Sequence, residues 1–110
     1  MSVICELNDE FRTGLRPELG RIVITSGAQH LVASSPRGIN LLYDKVKAFD
    51  AFTNDNDPHG EHDFGSFEHD GAKLFWKLDY YDANLEYGSE DPADATKTCR
   101  VLTIMLAEEY

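Results

Sequence analysis

The sequence predicts an α+β domain, a small and largely antiparallel sheet of three or four strands with about three helices, in the order α-β-(β)-α-β-β-α. Three observations predict it. Apolar residues recur at helical spacing near the amino terminus and again between residues 39 and 49. They alternate at strand spacing from residue 72 to residue 81, and the pair Asp70-Gly71, among the strongest short-range hairpin signals, precedes that run. Helices on one face of a small sheet are the simplest way to bury such stripes. A chain of 110 residues suits one domain, spanning 1–110.

Each element has its own warrant. Ser2 is placed to cap a first helix, on which Val3, Ile4, Leu7 and Phe11 share a face, and Gly14 and Pro17 end it. Residues 21–25 (RIVIT) form a β-branched strand, followed by a Ser26-Gly27 turn. Residues 28–32 fit a hairpin partner or the start of a connection equally well, hence the bracketed strand. Ser34 or Ser35 before Pro36 signals a second helix with a stripe of Ile39, Leu42, Val46 and Phe49.

Residues 50–63 break this periodicity with asparagine, aspartate, proline and glycine, so they are expected on the surface, where their backbone is hydrated. Residues 64–68 and 72–81 make the hairpin. Leu74, Trp76, Leu78 and Tyr80 face the core, while Lys73, Phe75, Lys77, Asp79 and Tyr81 lie on the other face, where a further helix is expected to cover them. Asp91 and Pro92 then read as the start of a last helix carrying Val101, Leu102, Met105 and Leu106 almost to Tyr110.

Composition narrows the function. Twenty acidic against ten basic side chains leave a formal charge of −10, which repels nucleic acid and anionic membrane and favours basic partners or cations. Cys5 and Cys99 each fall inside a predicted helix without a CxxC spacing, and read as buried thiols rather than as a disulfide or redox pair. There is no basic-then-apolar leader and no run of eighteen apolar residues, so a soluble cytoplasmic protein is expected.

Residues 54–65 (NDNDPHGEHDFG), 75–82 (FWKLDYYD) and 88–110 (GSEDPADATKTCRVLTIMLAEEY), with the LND-FR pattern of 7–12 and the FD-F pattern of 49–52, resemble a family of small acidic proteobacterial proteins of unknown function, often on mobile elements. The resemblance implies a cytoplasmic, mobile-element-associated small protein. It brings no catalytic residues.

The sharpest candidate for chemistry is the metal-ligating set His59, Glu61, His62 and Asp63, with Asp55 and Asp57 just before it. Imidazole and carboxylate together suit zinc, manganese or iron, but ligands must converge from a rigid frame, which a contiguous loop seldom supplies. The plainer reading is a set of Asx turns and local bonds, so neither a metal nor another cofactor is expected. A calcium loop opening at Asp55-x-Asp57-x-His59-Gly60 fails at its twelfth place, Ser66, where a bidentate glutamate is required. No GxSxG elbow, GxGxxG or GxxxxGK[ST] occurs, and the sequence favours a protein that is not an enzyme. Two lysines near Phe75 and Tyr81 do not offset the surrounding acids as a single-strand platform would require.

The charge runs remain. Residues 48–72 hold seven acids and 78–96 hold six more, with no Lys or Arg in either. Both flank the same strand, so folding is expected to join Asp55, Asp57, Glu61, Asp63, Asp79 and Asp82 into one partner-binding face. The expected partner is a basic protein, such as a nucleic-acid-binding complex whose groove a DNA mimic of the anti-CRISPR or anti-restriction kind would occupy. The alternative is a metal-binding protein or metal-dependent hydrolase built on residues 59–63.

Overall fold

The computed structural model describes residues 2–110. Helix α1 (Val3–Arg12) is capped by Ser2, whose hydroxyl accepts from the Cys5 N–H at 3.1 Å. Its chain exits through Gly14, held at φ +86, where a side chain would be strained. A 3-10 turn at Pro17–Leu19 leads into β1 (Gly20–Ile24). Leu7 and Phe11 are buried as expected, but Val3 is exposed, and the buried side of α1 also carries Cys5, Asn8 and Arg12.

Residues 28–32 are not a strand. Thr25 accepts from the Ala28 N–H and starts α2 (Ser26–Leu31), so the threonine that ends the RIVIT run acts as a helix cap. Helix α3 (Gly38–Ala48) begins two residues after Pro36, and Leu42 and Val46 enter the core while Ile39 stays outside. The hairpin forms as read: β2 (Phe64–His69) pairs antiparallel with β3 (Ala72–Tyr81), and Asp70 and Gly71 both have positive φ, +51 and +78, as a two-residue turn with right-handed twist demands.

The main correction lies at the carboxy terminus. The last helix is absent; Cys99–Leu106 is instead strand β4, and Cys99 therefore sits on a strand. In CRVLTIML the apolar residues satisfy a helical spacing, but Arg100, Leu102 and Ile104 also alternate onto one face, and β-branched Val101, Thr103 and Ile104 favour extension. The element order is therefore α-β-α-α-β-β-β, within the expected α+β class. β4 is central in a sheet ordered β1-β4-β3-β2, parallel to β1 and antiparallel to β3. A central strand shows no clear polar alternation because both of its faces are covered or half-covered.

The three helices pack Leu7, Phe11, Ala28, Val32, Leu42 and Val46 against Leu74, Trp76, Leu78, Leu102 and Ile104 on one face of the sheet. Among the described residues, no helix covers the other face. There Tyr110 packs edge-on against Phe64 and Phe75, and Lys77 pairs with Asp79 at 2.9 Å. Among the described residues, no helix is long and apolar enough to cross a membrane.

Trp76 is fully buried at the centre of this core, edge-on to Phe49 and Phe52, and a Cβ at Gly65 would collide with its ring. Replacing Trp76 by alanine is expected to destabilise the fold by about 3–5 kcal/mol, through lost burial and an unfilled cavity. Denaturant titration measures this, and a change under about 1 kcal/mol would contradict the placement.

Candidate functional site

The polar residues on the buried side of α1 meet the loop at 50–63. That loop is built from its own side chains: the Thr53 N–H donates to Asn56 Oδ1 at 2.8 Å, Asn56 Nδ2 donates to the Ala51 carbonyl, and the Asp57 N–H returns to the Thr53 carbonyl. Asp57 then turns inward. It is buried, and its carboxylate accepts the Glu61 N–H at 3.1 Å and the His62 N–H at 3.2 Å. This clamp holds His62 at φ +54, an uncommon conformation for a residue with a side chain.

The His62 ring lies flat on Phe52, 3.7 Å between centroids, and is bracketed by two carboxylates. Nδ1 stands 2.9 Å from Asp9 Oδ1, and Nε2 stands 3.7 Å from Asp57 Oδ2. One turn earlier on α1, Cys5 Sγ lies 4.0 Å from Asp9 Oδ2. Cys5, Asp9 and His62 thus each present a ligand atom within 4.8 Å of the other two. Arg12 also holds Asp9, donating from Nη2 at 3.2 Å to Oδ1, the oxygen nearest His62 Nδ1.

Burial, reinforced by Asp9 and Asp57, pushes the Cys5 thiol up to about 11. Without a metal ion the Cys5 thiol stays protonated at neutral pH and is not poised as a nucleophile; a bound metal would have to displace that proton.

A second network lies beside the first. Asn8 Nδ2 donates to the Glu61 carbonyl at 2.9 Å and to the Tyr80 hydroxyl at 2.8 Å, while the Tyr80 O–H donates to Glu61 Oε1 at 3.0 Å. Arg100, wholly buried, donates from Nε to Asn8 Oδ1 at 2.7 Å and from Nη2 to the Pro92 carbonyl at 2.6 Å. Burial of Tyr80 and the nearby Glu61 keep its phenol protonated.

The residues singled out in the sequence therefore divide. Asp55 is exposed, Asp57 and Glu61 are engaged inward, Asp63 is half-buried, and Asp82 accepts the Asn84 and Glu86 N–H groups of a turn. Asp79 lies on the open sheet face beside Lys77. Of the proposed ligands only His62 enters the Cys5–Asp9 group; His59 is exposed. Cys5, Asn8, Asp9, Tyr80 and Arg100 were not among the candidates. Their signal was faint: Cys5 and Asp9 are spaced i, i+4, and polar Asn8 and Arg12 interrupt an otherwise apolar helix face.

Together these features define a small α+β protein whose acidic loop is locked to its first helix through a buried polar layer. Its family can be stated directly. The chain belongs to the family described as "Protein of unknown function (DUF3768)", which matches residues 24–109 and so includes the His62 loop but not Cys5 or Asp9. Comparison with curated proteins and with solved structures gives no match.

Desolvation, then Glu61, raise Asp63 above the ordinary carboxylate range. A carboxyl that protonates more readily when folded penalises the folded state above its folded pKa, and the penalty fades as pH falls through that value. Asp63→Asn is therefore expected to raise stability at pH 7, with the gain shrinking toward pH 4. Unfolding titrations of both proteins across that range measure it; a gain that grows on acidification would contradict the assignment.

Proposed function

We propose that this protein is a non-enzymatic acidic binding module whose partner is a basic protein surface. What supports the reading is the meeting of the two acid runs at one end of the sheet. The Leu78 N–H donates to the Asp63 carbonyl at 2.8 Å and Tyr80 reaches Glu61, so the first run lies alongside the last residues of β3. The second run begins where β3 ends, folding back through a Tyr81–Gly88 bridge. Asp55, Glu86, Glu90 and Asp91 are exposed there, and neither run contains a lysine or arginine.

Like charges held together repel one another, and a cationic partner relieves that repulsion while gaining fast, steered association. The finer form of the proposal is a DNA-mimic inhibitor of a nucleic-acid-binding defence complex, of the anti-restriction or anti-CRISPR type. Its mobile-element setting comes from the motif resemblance alone. Because Asp57 is buried, the recognising set is shifted from the one read in the sequence toward Asp55 and the acids of the second run.

Partner capture from host lysate, followed by kinetics across a salt series with nucleic acid as competitor, tests this. Binding is expected to weaken as salt rises, since the Debye length is only about 8 Å at physiological ionic strength. The pair Asp55→Lys and Glu90→Lys is expected to slow association more than it speeds dissociation. An acidic partner, or affinity indifferent to both salt and charge reversal, would refute the proposal.

A further inference from the structure

We propose that Cys5, Asp9 and His62 form a binding site for a divalent transition metal, with zinc the best match to their donors. Thiolate, imidazole and carboxylate are zinc's ordinary ligands, bound at about 2.0–2.3 Å, which places donors of a tetrahedral site about 3.3–3.8 Å apart. The three donors here lie within 4.8 Å of one another, with Cys5 Sγ 4.0 Å and His62 Nδ1 3.1 Å from the same oxygen, Asp9 Oδ2. Side-chain adjustments of about 1 Å would close them on an ion.

The surroundings match what such a site needs beyond its ligands. Metal-binding histidines usually turn their other ring nitrogen toward a carboxylate, and His62 Nε2 faces Asp57 Oδ2 at 3.7 Å. Asp57 is itself held by two backbone N–H groups, Arg12 orients Asp9, and Phe52 fixes the plane of the imidazole. The positive φ of His62 is a local strain that the loop maintains to aim this ring at α1. The ligands come from helix α1 and from the loop, with 53 residues separating Asp9 from His62, unlike the contiguous 59–63 set. Cys5 is buried, whereas Asp9 and His62 are partly open, so a fourth position faces solvent and would carry water.

The competing account is a purely structural clamp, with His62 held between Asp9 and Asp57 and no affinity for metal. Cobalt(II) titration of untagged protein, followed by displacement with zinc, separates the two. The site is expected to take one cobalt per chain, with the intense near-ultraviolet absorption of a cobalt–thiolate bond, and zinc is expected to abolish that band. Cys5→Ser and His62→Gln should each weaken binding at least tenfold and Cys5→Ser should remove the band, while His59→Gln leaves both unchanged. Asp57→Asn should weaken binding by about 10–100-fold. Should the buried substitutions unfold the chain, X-ray absorption of the zinc-loaded parent decides: sulfur and imidazole in its ligand shell uphold the site. Absence of stoichiometric binding, a shell without sulfur, or loss on His59→Gln would overturn it. None of these readouts involves a protein partner, so failure here leaves the binding-module proposal standing, and the reverse.

Discussion

The guanidinium of Arg12 is the constraint on which the arrangement depends. It is almost wholly buried, and from one nitrogen, Nη1, it donates to the carbonyls of Val46, Lys47 and Phe49, at 2.8, 3.2 and 3.0 Å. Those are acceptors at and just beyond the end of α3, where the helix dipole is negative and carbonyls lack intrahelical partners. The other terminal nitrogen holds Asp9, and the cationic plane lies over Phe52 and Trp76, with ring centroids at 5.4 and 5.2 Å. One side chain therefore ties α1, the end of α3, the loop and the core tryptophan together. A lysine could not substitute, because its single ammonium cannot serve carbonyls, a carboxylate and two ring faces from one plane.

Such an interior is expensive to build. Among the described residues, Arg12 Nε, Trp76 Nε1 and Arg100 Nη1 are buried without a hydrogen-bond partner, and leaving a buried polar group unsatisfied costs about 1–3 kcal/mol. An apolar replacement of the whole layer would avoid this, as buried ion pairs rarely outperform well-packed hydrocarbon. What hydrocarbon would lack is direction. Arg12 positions Asp9, Asp9 and Asp57 position the His62 ring, and Asn8 links Arg100 and Tyr80 to Glu61. The polar layer thus specifies how the acidic loop sits on the sheet, a task for which non-directional burial is poorly suited.

The hairpin was legible because its signals are local: Asp70-Gly71 fits the positive φ its turn requires, and the alternation around Trp76 separates two faces. Helix α2 was missed because Thr25 serves both as the end of a β-branched run and as a cap. β4 was missed because a central strand without a polar face gives no period by which to tell it from a helix; Val101, Leu102, Met105 and Leu106 satisfy both patterns. The candidate site was half legible for a different reason. His62 stood out in its loop, but Asp9 and Cys5 become its neighbours only through long-range packing of α1, set by Arg12, and no local pattern encodes that. The LND-FR motif already contained Asn8 and Arg12, the buried polar residues of α1, and the half-buried Asp9 between them.

A count of acids in the sequence is therefore not a map of the acidic surface. Within residues 54–63 the carboxylates divide in duty. Asp55 projects outward because the Thr53 and Asn56 turn is satisfied by its own side chains, whereas Asp57 and Glu61 are drawn inward by backbone N–H groups and a tyrosine. Inward carboxylates have exchanged part of their hydration for fixed donors, so they contribute to the register of the loop more than to its outward field. The outward ones remain hydrated and screened, each weak alone, and would act on the proposed partner only as a group. The fold separates these two populations with one strand end: β3 delivers Tyr80 inward to Glu61 and, two residues later, Asp82 to the turn that opens the second acid run. On the proposed function, recognition at the surface and order beneath it would draw on different carboxylates, so substitutions at Asp55 or Glu90 would probe the proposed binding while a substitution at Asp57 would first disturb the loop itself.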